Sequence, residues 1–87
     1  MAYRAIDVKI MRIDIDRNRL TIRRRKIRTG KIRHLKTVFI VDRGTLVTTK
    51  DNCTIAVSDI KPSSRATIDF IKTEDKKLLA KGISILG

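Results

Sequence analysis

Apolar and polar residues alternate along this chain over short stretches, with changes of phase between them. That is the period of β-strands rather than helices. Ile6, Val8 and Ile10 alternate with Asp7 and Lys9, and from Met11 onward the apolar residues move to odd positions, Ile13 and Ile15. Such a change of phase predicts a β-bulge near Met11, or two short strands in place of one. Asp16-Arg17-Asn18 predicts a turn in which Asn18 takes a positive φ. A second strand is expected over about residues 19–28, apolar at Leu20 and Ile22, with a second half that extends beyond the core as a charged ribbon. Thr29-Gly30 reads as the turn of a hairpin. The return strand starts near Lys31 and reaches Val38-Phe39-Ile40-Val41, four apolar residues in a row that predict a strand covered on both faces. Ile27, Ile32 and Leu35 are expected to help hold one face of this hairpin on the core.

Beyond the hairpin, Asp42-Arg43-Gly44 and Lys50-Asp51-Asn52 predict turns on either side of a short strand over residues 45–49. Cys53, Ile55 and Val57 alternate with Thr54, Ala56 and Ser58, predicting a strand with Cys53 as an inert buried thiol. Residues 59–65 read as a loop, because Pro62 bars a central strand there. Ala66, Ile68 and Phe70 share one face of the next strand. Thr73 is placed to cap one short helix near residues 74–81, with Glu74 and Asp75 in its first turn and Lys81-Gly82 at its end. Ile83-Ser84-Ile85-Leu86 reads as a last strand. The expected architecture is all-β: a small barrel or sandwich of about six to seven short antiparallel strands, forming a single domain over residues 1–87.

Charge changes this picture. Residues 17–36 hold ten Lys or Arg and no carboxylate. The chain carries a net +12, of which residues 1–36 contribute +10 and residues 37–87 only +2. A segment of this kind repels itself when free and implies a partner that supplies negative charge, and nucleic acid is the obvious polyanion. The candidate contacts are Arg17, Arg19, Arg23, Arg24, Arg25, Lys26 and Arg28 on the outgoing strand. On the return strand they are Lys31, Arg33, His34 and Lys36. Arginine dominates the first group, and its planar fork suits phosphate. The aromatics Tyr3, Phe39 and Phe70 all lie outside the basic stretch, so contacts are expected mainly to phosphates and sugars. His34 reads either as a ring against RNA or as a solvated residue.

Other chemistries lack their residues. A single histidine and a single cysteine offer no metal-ligand spacing. Asp14 and Asp16 stand beside Arg12, Arg17 and Arg19, so they read as ion-paired surface groups rather than an acid/base pair. No glycine-rich phosphate loop and no nucleophile–base set is present. No enzyme activity, cofactor or membrane partner is therefore expected. The lone cysteine and the want of a leader segment point to the cytoplasm. The chain has no Gln and only two Asn but is rich in charge, a pattern of thermophile proteins.

Residues 40–71 carry a resemblance. Gly44-Thr45-Leu46-Val47, Ala56-Val57-Ser58, Pro62 and Ile68-Asp69-Phe70-Ile71 occur in the order of a strand, a turn and strand, a proline loop and a final strand. This stretch resembles the C-terminal part of the archaeal and eukaryotic small-subunit ribosomal protein eight family. The chain departs from that family in having Ser64-Arg65 where it has Asp-Gly, and in lacking its long basic N-terminal extension. The resemblance implies a β-barrel that binds ribosomal RNA; a distinct small archaeal ribosomal protein of similar build is the other form of the same expectation. The leading expectation is thus a structural, ribosomal protein that binds ribosomal RNA beside neighbouring ribosomal proteins. A free-standing DNA-binding or chromatin-type protein of a thermophile is the alternative. A module for acidic protein partners is a third.

Overall fold

The computed structural model describes residues 2–87, apart from the side chain of Arg28. The strands are β1 (Ala2–Asp14), β2 (Arg19–Arg28), β3 (Lys31–Ile40), β4 (Leu46–Thr48), β5 (Thr54–Ile55), β6 (Arg65–Lys72) and β7 (Leu78–Ile85). A single 3₁₀ turn, Val57–Asp59, precedes β6. All seven strands belong to one sheet in the order β3-β2-β1-β6-β7-β4-β5. The sheet closes on itself where Ile40 of β3 pairs with Leu79 of β7, giving a ring of five strands with β4 and β5 appended. Successive hairpins join β1, β2 and β3, and β6 returns by a long connection to lie beside β1, which is Greek-key connectivity.

The small all-β barrel expected from the sequence forms, and only its closure departs from antiparallel pairing. Both β3 and β4 run parallel to β7. The chain leaves β3, makes the turn at residues 42–45 and continues in the same direction along the same edge of β7. The turn is tied in place: Asp42 Oδ1 accepts from the Gly44 amide at 2.8 Å, and the Thr45 hydroxyl donates to the Ala80 carbonyl at 2.6 Å.

β1 is long because it serves two partners, β6 along residues 2–9 and β2 along residues 9–14. Its register with β2 breaks between Ile10 and Arg12, which is the bulge that the phase change at Met11 predicted. A second break, against β6 between Ala5 and Val8, was not legible in the alternation. There Asp7 adopts φ 54°, a conformation that Asp tolerates better than most residues. The extra residue shifts the parity, so Ala5 rather than Ile6 joins Val8 and Ile10 in the core, and Ile6 is left 71% exposed.

Inside the barrel lie Ile10, Leu20, Ile22, Phe39, Val47, Ile68 and Ile83, with Ile60 contributed by the loop before β6. Each such aliphatic side chain contributes about 1.5–3 kcal/mol by leaving water. Phe39 meets Phe70 edge-on at 4.9 Å between centroids, and Phe70 stacks on Tyr3 at 5.6 Å. The run 38–41 is covered on one face only: Phe39 and Val41 are buried, while Val38 stays exposed.

Two further expectations are overturned. No helix forms near residues 74–81; β6 and β7 pair instead from Ala66↔Ile85 to Lys72↔Leu78. Thr73 caps the hairpin turn rather than a helix, its hydroxyl accepting from the Lys77 amide at 3.1 Å while the Thr73 amide donates to the Lys77 carbonyl at 2.8 Å. A helix of two turns is marginal on its own, whereas pairing with β6 satisfies the same backbone groups and buries Ala80 and Ile83. Cys53 is exposed, not buried, because β5 keeps only two bridges to β4 at an edge of the sheet before the chain turns into the 3₁₀ segment.

Candidate nucleic-acid interface

The β2–β3 hairpin is paired from Arg19↔Ile40 to Arg28↔Lys31, and its turn is Thr29-Gly30, with φ of 50° and 76°. Positive φ at both central residues is what a two-residue type I′ turn requires. The hairpin root belongs to the barrel through Leu20, Ile22 and Phe39. β1 leaves β2 at the pair Lys9↔Arg23, and past that point β2 has only β3 beside it. The remaining five pairs form a free two-stranded ribbon that extends roughly 15–20 Å. Every described side chain from Arg24 to Lys36 is exposed.

Ile27, Ile32 and Leu35 do not anchor this ribbon on the core, contrary to the expectation from sequence. Ile27 and Ile32 are 70% and 58% exposed and face each other across the two strands near the tip. Both stand on the parity opposite to Leu20, Ile22 and Phe39, so the register turns them away from the core face, whereas Leu35, opposite Arg24, keeps the core parity but lies beyond the last pair with β1.

The register sets cation against cation. Arg23 lies opposite Lys36, Lys26 opposite Arg33 and Arg28 opposite Lys31, while Arg25 faces His34. Like charges directly opposed in a ladder cost about 0.2–1 kcal/mol per pair. Among the described residues, the ion pairs are Arg4–Asp69, Arg17–Asp14 and Arg65–Asp7, so none neutralises the ribbon. Arg24 and Lys26 continue the parity of Leu20 and Ile22, whereas Arg23 and Arg25 project from the opposite face.

Of the residues singled out from sequence, the structure gathers Arg23, Arg24, Arg25, Lys26, Lys31, Arg33, His34 and Lys36 on the ribbon and its base. It places Arg17 and Arg19 at the other end of β2, about 30 Å from the tip. There Arg17 sits 4.0 Å from Asp14, and Arg19 is half-buried opposite Ile40. The side chain of Arg28 lies outside the described residues.

Pattern reading missed three cations. Arg65 pairs with Lys9 across β6 and β1, and Lys9 pairs with Arg23 across β1 and β2. With Lys36 opposite Arg23, the side chains Arg65, Lys9, Arg23 and Lys36 form one transverse row over four strands. At the ~4.8 Å spacing of neighbouring strands this row is roughly 14 Å long. Where β1 and the ribbon diverge, a cleft of about 800 Å³ opens. One wall is the body, with Arg4, Lys9 and Arg65; the other is the ribbon, with Arg23, Arg24, Arg25 and His34. Asp7 is the one carboxylate among its lining residues, and it is bonded to the Arg65 guanidinium. Arg4 holds Asp69 at 2.7 Å, and that hydrogen bond, aided by the charge of Asp69, raises the guanidinium above its already high pKa.

Among the described residues no group of three or more potential ligands could hold a metal ion, and no helix is long and apolar enough to cross a membrane. Neither a protein-family model, nor a curated protein, nor a solved structure matches the chain.

Proposed function

We propose that the chain is a non-catalytic nucleic-acid-binding protein whose partner is folded RNA, ribosomal RNA in the first instance. The observation that carries this reading is the ladder of opposed cations on a ribbon without a carboxylate. An isolated two-stranded hairpin is marginal in water, and like-charge pairs make it worse. A polyphosphate reverses the sign of every one of those terms, because each opposed pair becomes a two-sided cradle for one anionic group. The barrel acts as a rigid base from which the ribbon reaches between RNA segments.

Connectivity supports the same reading by analogy. Numbering the ring strands alone, their order is 1-2-3-5-4 with strands three and five parallel, as in OB-type barrels. Barrels of that type hold oligonucleotides on the face of strands two and three. Here those strands are the basic hairpin. A shared fold does not establish a shared function, so the weight stays on the charge ladder. The ribosomal setting comes from the resemblance of residues 40–71.

A duplex-DNA binder is the second reading, favoured by one observation: a free two-stranded ribbon fits the major groove of B-DNA, whereas the major groove of A-form RNA is deep and narrow. Binding to RNA and DNA duplexes of matched sequence, followed across a salt series, separates the two. Log K falls with log salt by roughly 0.7–0.9 per neutralised phosphate, and a flat response overturns both readings. Co-sedimentation with native ribosomes at high salt tests the ribosomal setting. Capture of a partner that survives nuclease treatment supports a protein-interaction module instead.

A further inference from the structure

We propose that the cleft where β1 and the ribbon diverge is a distinct site for single-stranded polynucleotide, with a few unpaired nucleotides crossing the sheet along the row Arg65, Lys9 and Arg23. This inference rests on the nucleic-acid reading above and adds a second kind of contact to it. The exposed ribbon engages phosphates of paired RNA from outside, whereas the cleft takes a strand into its interior.

Size comes first. A space of about 800 Å³ is the size of a pocket for a small molecule, and a double helix does not enter it, since its grooves alone are about 6–12 Å wide. An unpaired backbone does. Charge comes next: cations stand on both walls, so a polyanion between them relieves repulsion across the cleft as well as along the ribbon. The transverse row sets the direction of the strand, because Arg65, Lys9 and Arg23 are successive neighbours across β6, β1 and β2. Their spacing lets one backbone meet all three in turn. Guanidinium planes and the His34 ring on the ribbon wall are surfaces on which bases stack when an aromatic platform is missing. Ile6, turned outward by the bulge, adds an apolar surface for a sugar or base edge.

The body wall is built before any ligand arrives. The amide of Ile10 donates to the Ser64 carbonyl and that of Ser63 to the Ile10 carbonyl, both at 2.8 Å, so the loop before β6 is fastened to β1. These bonds hold Arg65 level with Lys9. Asp7 at φ 54° completes the bulge, and its bond to Arg65 holds that guanidinium over the cleft while lowering the positive charge within it. The ribbon wall has no third strand beside it past the pair Lys9↔Arg23.

Isothermal titration at low salt with two probes, tetrauridylate and a blunt RNA duplex of about 16 base pairs, tests the proposal. The variants are Asp7→Asn, and Lys9→Gln combined with Arg65→Gln. Asn tolerates positive φ as Asp does, and Lys9 and Arg65 lie outside the core, so circular dichroism is expected to show folded protein in each case. The double variant is expected to weaken tetrauridylate by about tenfold or more while the duplex changes by less than about threefold. Asp7→Asn is expected to tighten tetrauridylate, and this arm stands even where the double variant fails to fold. Equal losses for both probes overturn the cleft as a separate site, as does tetrauridylate binding that neither variant changes. A wild-type protein that binds duplex but not tetrauridylate overturns the cleft and leaves the ribbon reading standing. One that binds neither probe overturns both.

Discussion

The two halves of β2 belong to one unbroken strand and end in opposite environments. Leu20 and Ile22 are fully buried, whereas Arg24 and Lys26, on the same parity two and four residues later, are exposed. The backbone pairing with β3 continues unbroken through the change. What differs is the number of neighbours. The first half has β1 on one side, β3 on the other and Phe39, Ile68 and Ile83 beneath; the second half has β3 alone. Burial is therefore a property of the third strand and the opposite wall of the barrel, not of the hairpin ladder. The barrel stabilises itself by excluding water, whereas the ribbon has opposed cations and no core of its own.

The sharpest way to break this contrast is a charge in each half. Ile68→Asp puts an unpaired carboxylate where the wild-type side chain is completely buried, and it is expected to cost more than about 4 kcal/mol. Domains of this kind have about 5–15 kcal/mol to lose, so loss of the cooperative melt by circular dichroism is the expected outcome. A variant that melts as the wild type does would place the core elsewhere.

Amide exchange on the free protein reads the same contrast without mutation. Amides of Ile10, Leu20 and Ile68 are expected to open only with global unfolding. Those of residues 24–34 are expected to open at a cost of about 0–2 kcal/mol and to gain protection when RNA is added. Equal protection in the two regions would mean that the ribbon is part of the barrel's cooperative unit.

A third test removes charge from the ribbon. Arg23, Arg24 and Arg25 changed together to Ser are expected to lower RNA affinity by about a hundredfold and to reduce the salt slope by roughly one unit per lost phosphate contact. Stability is expected to change by less than about 1 kcal/mol, since Arg24 and Arg25 are exposed and Arg23 already stands against Lys36. Parallel melting and binding titrations check both halves of this statement. The smallest expected effect is Lys36→Glu, which turns the opposed cations Arg23 and Lys36 into an ion pair. It is expected to stabilise the free protein by about 0.2–1 kcal/mol while weakening RNA binding. A variant that binds RNA more tightly would show that neither contact of Lys36 with phosphate nor relief of its repulsion with Arg23 governs affinity.

Much of the ribbon was legible because its information is local. Ten basic residues in one stretch, a Thr-Gly turn and the loss of apolar parity after Ile22 are all read within twenty residues. The bulge at Met11 was legible for the same reason, since alternation is a nearest-neighbour pattern. The body wall of the cleft was not legible. Arg65 lies far along the chain from Arg4 and Lys9, and only the register between β1 and β6 sets it beside Lys9.

From the local pattern Cys53 is expected in a buried strand, Thr73 at a helix cap, and Ile27, Ile32 and Leu35 on the packed face of the hairpin. For Cys53, Thr73 and Leu35 the local pattern is compatible with the expectation and strand pairing overrides it, whereas Ile27 and Ile32 are out of phase with Leu20, Ile22 and Phe39 and face away from the core by register alone. The sequence by itself determined that strands form, where most of them turn, and where positive charge concentrates, because backbone propensity, turn chemistry and formal charge act over a few residues. Only the tertiary structure decided the parallel closure by β7, the bulge at Asp7, the point where β1 parts from β2, and hence the cleft. Those features depend on which strand edges pair, and pairing is settled by the competition among all the strands for one small core.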